Sequence, residues 1–414
     1  MTTPAAVITA AAVLTSVADT VEGFAAALRA GTSGVRAVPL PEAAGARVAA
    51  PLREPVITVP GDDAIRVLGA TASAPTRAVA RVGREAATAA GLTPAALSRT
   101  AVIVGGNNLA LDYQAAVTRR GDTGGRVPPS HALAHLDIDT VGAVSELTGA
   151  TAEGYTIGGS SASGALALIQ ACRLLVLDAA EHCLVAGALC ELSTAEYRAL
   201  THSGAMAAGE GLAPDRVCRP FDEGRNGFVH GHGAAAVVLE RPATAAARGA
   251  RPLAVLAGYA QRLDGKRGTR PDPENQAATM RAALGSAGIG PRDVDYVNAH
   301  ATGSRLGDAA EAEALARVFG PAGAGPLVNA TKELTGHCLA ASGVLEVVAS
   351  ALQLRDGFCH PNPNLREPSD TRLRYAGPAV VDTTLQAALS TSFAFSGINA
   401  AIVITRSNQE RAGD

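Results

Sequence analysis

The stretch YTIGGSSASGALAL, residues 155–168, sets three hydroxyls at the start of a helical run. Tyr155 and Ile157 alternate as in a strand and Gly158-Gly159 follows. Ser160, Ser161 and Ser163 then precede an apolar segment of helical character. Strand, tight small-residue turn and helix have the layout of a nucleophile elbow, which presents one side chain at a helix N-terminus. A serine hydroxyl there is a weak nucleophile unless a dedicated general base takes its proton. No histidine poised solely for Ser161 is evident in the sequence. Three other junctions carry reactive groups. His300 ends the strand-like VNAHATG, Lys332 and His337 share TKELTGHCLAASG, and Phe395 sits in the turn SFAFSGINA. A histidine at a strand end is more often a hydrogen-bonded structural residue than a catalyst. The set, in this order, is more specific than any of its members.

Composition limits what such a set can serve. The chain has 414 residues, more than one ordinary core takes, so two domains or two fused halves are expected. Apolar residues make up 47%, enough for large buried cores. Aromatic residues make up 3% and Trp is absent, which leaves few platforms for stacking bases. The formal net charge is −3 with no basic block, so nucleic-acid binding is disfavoured. The opening MTTPAAVITAAAVLTSVADT lacks the basic start of a signal peptide and reads as a strand. No apolar run has the length of a membrane span, and a cytoplasmic location is expected. Cys172, Cys183, Cys190, Cys218, Cys338 and Cys359 form no C-x-x-C pair, which suggests reduced thiols rather than a disulfide framework or a zinc site. His230 and His232 have metal-pair spacing but no clear third ligand, so a structural or solvated role is expected and no metal is.

Strand-like and alanine-rich helical runs alternate along the chain. TAVIVGG reads as a strand before a polar, Gly- and Pro-bearing segment at 105–130, and DIDTVGAVSELTG reads as a helix. GAAAVVLE closes a first half, and PLAVLAGYA opens a second with similar element order but no residue-level repeat. The alternation predicts an α/β architecture with buried sheets. CHPNPNLREPSD reads as an ordered surface loop.

Four blocks now carry a resemblance. They are FDEGRNGFVHGHGAAAVVLE at 221–240, YVNAHATGSRLGDAAEAEAL at 296–315, TKELTGHCLAASGVLE at 331–346 and STSFAFSGINAAIVI at 390–404. With these blocks in this order, the chain resembles the thiolase-fold β-ketoacyl-carrier-protein synthases over nearly its whole length. The resemblance implies an α/β thiolase fold, five-layered αβαβα, from two pseudo-symmetric halves. Residues 1–250 would carry the elbow and residues 251–414 the two histidine loops. It also implies a homodimer, with the segment from residue 100 to the strand before the elbow lining the twofold.

In a condensing member of this family the elbow holds a cysteine that accepts the acyl chain. Aligned on SASG, Ser161 stands at that position and Ser163 at the family serine. Loading by transthioesterification should be crippled, since a thiol ionises near about 8.5 and a serine far higher. His300 and His337 match the histidines that hold a malonyl thioester carbonyl. Two N–H donors aimed at the enolate oxygen lower the barrier by roughly 3 kcal/mol each. The resemblance gives Lys332 and Glu346 as the pair that supports the second histidine, and Glu311 as the support of the first histidine's loop. The backbone N–H groups of Ser161 and Phe395 would form the other oxyanion hole, with Phe395 as gatekeeper. Ala394 and Ser396 stand where glycines are common, and His232 where an acidic residue is usual.

Serine for cysteine with both histidines and the lysine kept is similar to the free-standing ketosynthase-like decarboxylases of polyketide β-branching cassettes in antibiotic biosynthesis. These convert malonyl on an acyl carrier protein to acetyl. The substrate rides on phosphopantetheine, no further cofactor is expected, and the acetyl unit passes to a hydroxymethylglutaryl-synthase-like partner. Two alternatives stay open. One is a non-catalytic chain-length-factor-like partner of a Cys-bearing ketosynthase. The other is an acyltransferase or condensing enzyme working through a Ser161 ester.

Overall fold

The computed structural model describes residues 6–38, 47–53, 57–61, 63–69, 72–209, 211–320 and 325–407. Its frame is an eleven-stranded sheet. The first five strands are β1 (Ala6–Thr15), β2 (Thr100–Gly105), β3 (Gly154–Ile157), β4 (His182–Gly187) and β5 (Gly233–Glu240). The remaining six are β6 (Ala254–Leu263), β7 (Tyr296–Asn298), β8 (Leu327–Asn329), β9 (Arg374–Tyr375), β10 (Ala387–Ala394) and β11 (Ile398–Arg406). Strands β1, β2, β4 and β5 are buried along almost their whole length, which is why they read as continuous apolar runs rather than alternating ones.

The spatial order is β9-β8-β7-β10-β11-β6-β1-β5-β4-β2-β3. Read outward from the centre, β1-β5-β4-β2-β3 and β6-β11-β10-β7-β8 are the same path traced twice. Both paths start with two antiparallel pairings and end with two parallel ones. The two paths join where Ala6–Ile8 of β1 pairs with Ala254–Leu256 of β6. These are the two pseudo-symmetric halves of a thiolase fold.

Helices complete five layers. Outside the first path lie α1 (Ala74–Ala89) and α2 (Asp139–Thr148). Outside the second lie α4 (Pro273–Ala287) and α5 (Arg305–Phe319). Between them run α3 (Ser163–Val176) and α6 (Ser342–Asp356), packed on strands of both halves. A helix covered on all sides is mostly apolar with its few polar residues partnered: the buried residues of α6 run without a gap from Ser342 to Leu354, and Ser342, Glu346, Ser350 and Gln353 among them are hydrogen-bonded. Helices α3 and α6 cross on glycine. A Cβ at Gly164 would lie 2.8 Å from the Ala340 carbonyl oxygen, and one at Gly343 would lie 2.4 Å from the Ala165 nitrogen.

The structure departs from the sequence reading in three places. The segment 105–130 contains a helix, Leu111–Asp122. The Pro-rich loop is ordered but buried at its start, because Asn362 and Asn364 find backbone carbonyls inside. Asn362 Nδ2 donates to Val328 and Ala376, and Asn364 Nδ2 to Asp215 and Cys218. A residue-level repeat does exist. SSASG at 160–164 and LAASG at 339–343 each lead into a middle-layer helix through a short 3-10 turn. Among the described residues no helix is long and apolar enough to cross a membrane.

Candidate active site

The elbow is held by its own small residues. Ser163 Oγ accepts from the Gly159 N–H at 2.9 Å and donates to the Ser160 carbonyl at 2.7 Å, closing the turn. Ser160 takes φ +51°, a left-handed conformation that costs a side-chain-bearing residue roughly 1 kcal/mol. Ser161 is thereby presented at the tip. Its Oγ lies 2.8 Å from His337 Nε2. A histidine within hydrogen-bond reach of Ser161, which the sequence leaves unseen, is therefore present.

His337 is clamped through its backbone. Its N–H donates to the Val229 carbonyl at 2.7 Å, and its carbonyl accepts from Gly231 N–H at 3.0 Å. Only glycine fits at 231, since a Cβ there would lie 2.3 Å from the Thr335 carbonyl oxygen. The Phe228 ring meets the imidazole edge-on, with centroids 5.3 Å apart. His337 Nδ1 lies 3.0 Å from Ser342 Oγ. Behind it Lys332 and Glu346 form an ion pair, both side chains fully buried. Burial pushes the Glu346 carboxyl up to about 7, against the opposing pull of Lys332.

His300 is set by a carboxylate under its loop. Glu311 accepts from the His300 N–H at 2.9 Å, from the Ala301 N–H at 2.7 Å and from the Thr391 hydroxyl at 2.6 Å. Burial lifts this carboxyl to about 7, against the opposing pull of the Thr391 hydroxyl and the His300 N–H. The His300 ring faces His337 at 85°, centroids 5.5 Å apart. Burial first, then the Lys332 charge, holds both imidazoles well below their ordinary range. At neutral pH both are uncharged, so each offers one N–H donor.

Ser161, His300, His337 and Phe395 line one cavity of about 560 Å³. Phe395, 43% exposed, is followed by Ser396 at φ +63°, a left-handed position that suits the glycine common there. Arg270, Arg305 and Leu306 are exposed on the same lining. Lys332, Glu346, Glu311 and Ser163 stand behind this lining. All six cysteines are free, buried and absent from the lining, and burial raises every thiol pKa, Cys338 to about 12. His230 is a buried structural residue with Nδ1 2.6 Å from the Tyr197 hydroxyl. Among the described residues no group of three or more His, Cys, Asp or Glu side chains is placed to hold a metal. Sequence reasoning misses the strip Phe228–Gly231, Thr391 and Ser342. Gly231, set between two histidines, is the one visible sign of that strip.

Comparison with known proteins shows the family. Residues 4–245 match the β-ketoacyl synthase N-terminal domain, and residues 253–366 match the C-terminal domain of the same family. The chain is 37% identical to the polyketide biosynthesis malonyl-ACP decarboxylase PksF of Bacillus subtilis, over 76% of this chain and 75% of that one. It is 39% identical to 3-oxoacyl-(acyl-carrier-protein) synthase 2 of Coxiella burnetii, over 47% of each. The solved ishigamide ketosynthase/chain length factor superposes with a TM-score of 0.86 at 28% identity, covering 97% of this chain and 99% of that one. The chain belongs to the β-ketoacyl synthase family.

Proposed function

We propose that this chain decarboxylates malonyl-acyl carrier protein to acetyl-acyl carrier protein and does not condense chains. The observation that carries the reading is the pairing at the cavity. A serine stands at the elbow tip, while two neutral imidazoles face each other beside it. A malonyl thioester carbonyl held between His300 and His337 meets two N–H donors. The bond to the carboxylate breaks, CO2 leaves, and its electron pair becomes an enolate whose oxygen those donors stabilise. With no acyl electrophile on Ser161, a proton at the α-carbon completes the acetyl group. The thioester arm enters past Arg270 and Arg305, whose guanidinium groups suit the phosphate of phosphopantetheine.

The similarity to PksF supports a setting in polyketide biosynthesis. The finer setting, β-branching with a hydroxymethylglutaryl-synthase-like enzyme consuming the acetyl unit, rests on the retained histidines and lysine beside a serine elbow. A homodimer fits the surface. Leu133, Leu136 and Ile138 are 66%, 43% and 47% exposed, just ahead of α2, the helix that packs against the edge strand β3. Sedimentation at micromolar concentration should show a dimer, and a monomer would contradict it. One observation favours a second reading. His337 within hydrogen-bond reach of Ser161 is what a serine ester mechanism needs. Mass spectrometry of malonyl-carrier protein with the purified chain decides between them. Acetyl-carrier protein with no β-keto product supports decarboxylation, whereas a carrier stripped of its malonyl group to the free thiol, with that acyl group on Ser161, supports the ester.

A further inference from the structure

We infer that Ser342 fixes the tautomer of His337, so that His337 donates to Ser161 instead of drawing the proton from it. The inference rests on the decarboxylase reading for its kinetic consequence, but the tautomer itself is a property of the resting chain.

The hydrogen-bond pattern carries it. Ser342 is 3% exposed, and among the described residues its hydroxyl has one hydrogen-bond partner, His337 Nδ1 at 3.0 Å. A hydroxyl has one donor and two acceptor sites, and a neutral imidazole has one of each. Two arrangements are open. In the first, Ser342 O–H donates to Nδ1, His337 Nε2–H donates to Ser161 Oγ, and the Ser161 hydroxyl hydrogen points into the cavity, where water or substrate can accept it. In the second, Ser161 O–H donates to Nε2 and Nδ1–H donates to Ser342, which leaves the buried Ser342 hydroxyl hydrogen with no acceptor. A buried donor left unpaired is penalised by its full desolvation, whereas a spare lone pair is not. Ser161 is only half-buried and lines the cavity, so its hydrogen has somewhere to go. The first arrangement satisfies every donor.

The counterpart serine shows what Ser342 forgoes. Ser163 donates to the Ser160 carbonyl within its own turn, whereas Ser342 is turned instead onto His337. Held with Nε2–H toward the cavity, His337 is an oxyanion donor and cannot serve as the base that Ser161 would need. Ser342 is thus a positioning residue acting through His337.

The test is 15N NMR of the full chain labelled at histidine, alongside steady-state decarboxylation of malonyl-carrier protein. Wild type should show His337 protonated at Nε2. Ser342→Ala should show exchange between tautomers and a kcat lowered about tenfold at unchanged KM, the rate equivalent of one hydrogen bond. Ser342→Thr keeps the hydroxyl and should restore both. His337 protonated at Nδ1 in the wild type would overturn the inference, as would a Ser342→Ala chain with unchanged tautomer and kcat. If no acetyl-carrier protein forms at all, the decarboxylase reading fails. The wild-type 15N signal still decides the tautomer.

Discussion

The turn at 160–164, SSASG, and the turn at 339–343, LAASG, meet at the centre of the molecule and follow the same backbone course. Each begins with a left-handed residue that is not glycine, Ser160 at φ +51° and Leu339 at φ +48°. Each then makes a 3-10 turn, places a serine at the first helical position, and crosses its partner on the glycine that follows. They differ at the tip. The first shows Ser161 to the cavity, and the second has Ala340, buried at 3% exposure. They differ again two residues later, where Ser163 closes its own turn while Ser342 reaches His337. One local scaffold thus presents a side chain for chemistry in one half and supports the chemistry from behind in the other. The strained conformation recurs where no chemistry is presented, so its shared purpose is to bring two helices into contact.

The largest effect should come from the glycine crossing. Gly343→Ala drives a Cβ into the backbone of Ala165 and should cost about 3 kcal/mol or more by chemical denaturation. Gly142→Ala, in α2 with nothing within 4 Å, should be neutral or mildly stabilising by up to about 1 kcal/mol. Equal effects at both sites would remove the packing argument. Next in size is a pH effect at Glu311. Its carboxyl is raised from 4.5 to about 7 in the fold, so the stability it contributes is fully present below pH 4.5 and is lost as pH rises through 7. The shortfall of Glu311→Gln against wild type should therefore be greatest near pH 4.5 and shrink by about 3 kcal/mol toward about pH 8. A pH-independent shortfall would mean that the carboxyl is not raised.

Replacement of either His300 or His337 by Ala removes one donor from the enolate and should slow decarboxylation about a hundredfold. Wild-type rates in both would place the stabilising groups elsewhere. The smallest change is expected at the tip. Ser161→Ala loses one hydrogen bond and should keep the rate within about fivefold. Ser161→Cys should become labelled by acyl thioesters, because it restores a thiol at the helix N-terminus. A loss beyond about a hundredfold in Ser161→Ala would make the hydroxyl a participant.

Much of the site is legible in the sequence itself. The elbow at 158–164, His300 and the Lys332–His337 block are local patterns, each written within a few residues. What holds them is not local. His337 is gripped by Val229 and Gly231, and Glu311 reaches back beneath His300 and across to Thr391. Such pairings depend on sheet order and register, which the alternation of apolar runs does not encode. The burial of Asn362 and Asn364 is hidden for the same reason. Polar residues beside prolines read as a surface loop until the carbonyls that satisfy them are known. The repeat of the two turns is hard to see in the sequence because the shared Ala-Ser-Gly is too short and too common a pattern to stand out.

The central claim is that the first turn no longer carries a loadable nucleophile while the histidine pair still stabilises an enolate. Intact-mass spectrometry of the carrier protein and of this chain in a single reaction tests it most directly. The account predicts a carrier that loses the mass of one CO2 and a chain of unchanged mass. A carrier that keeps its malonyl group, or a chain that gains an acyl group at Ser161, would contradict it.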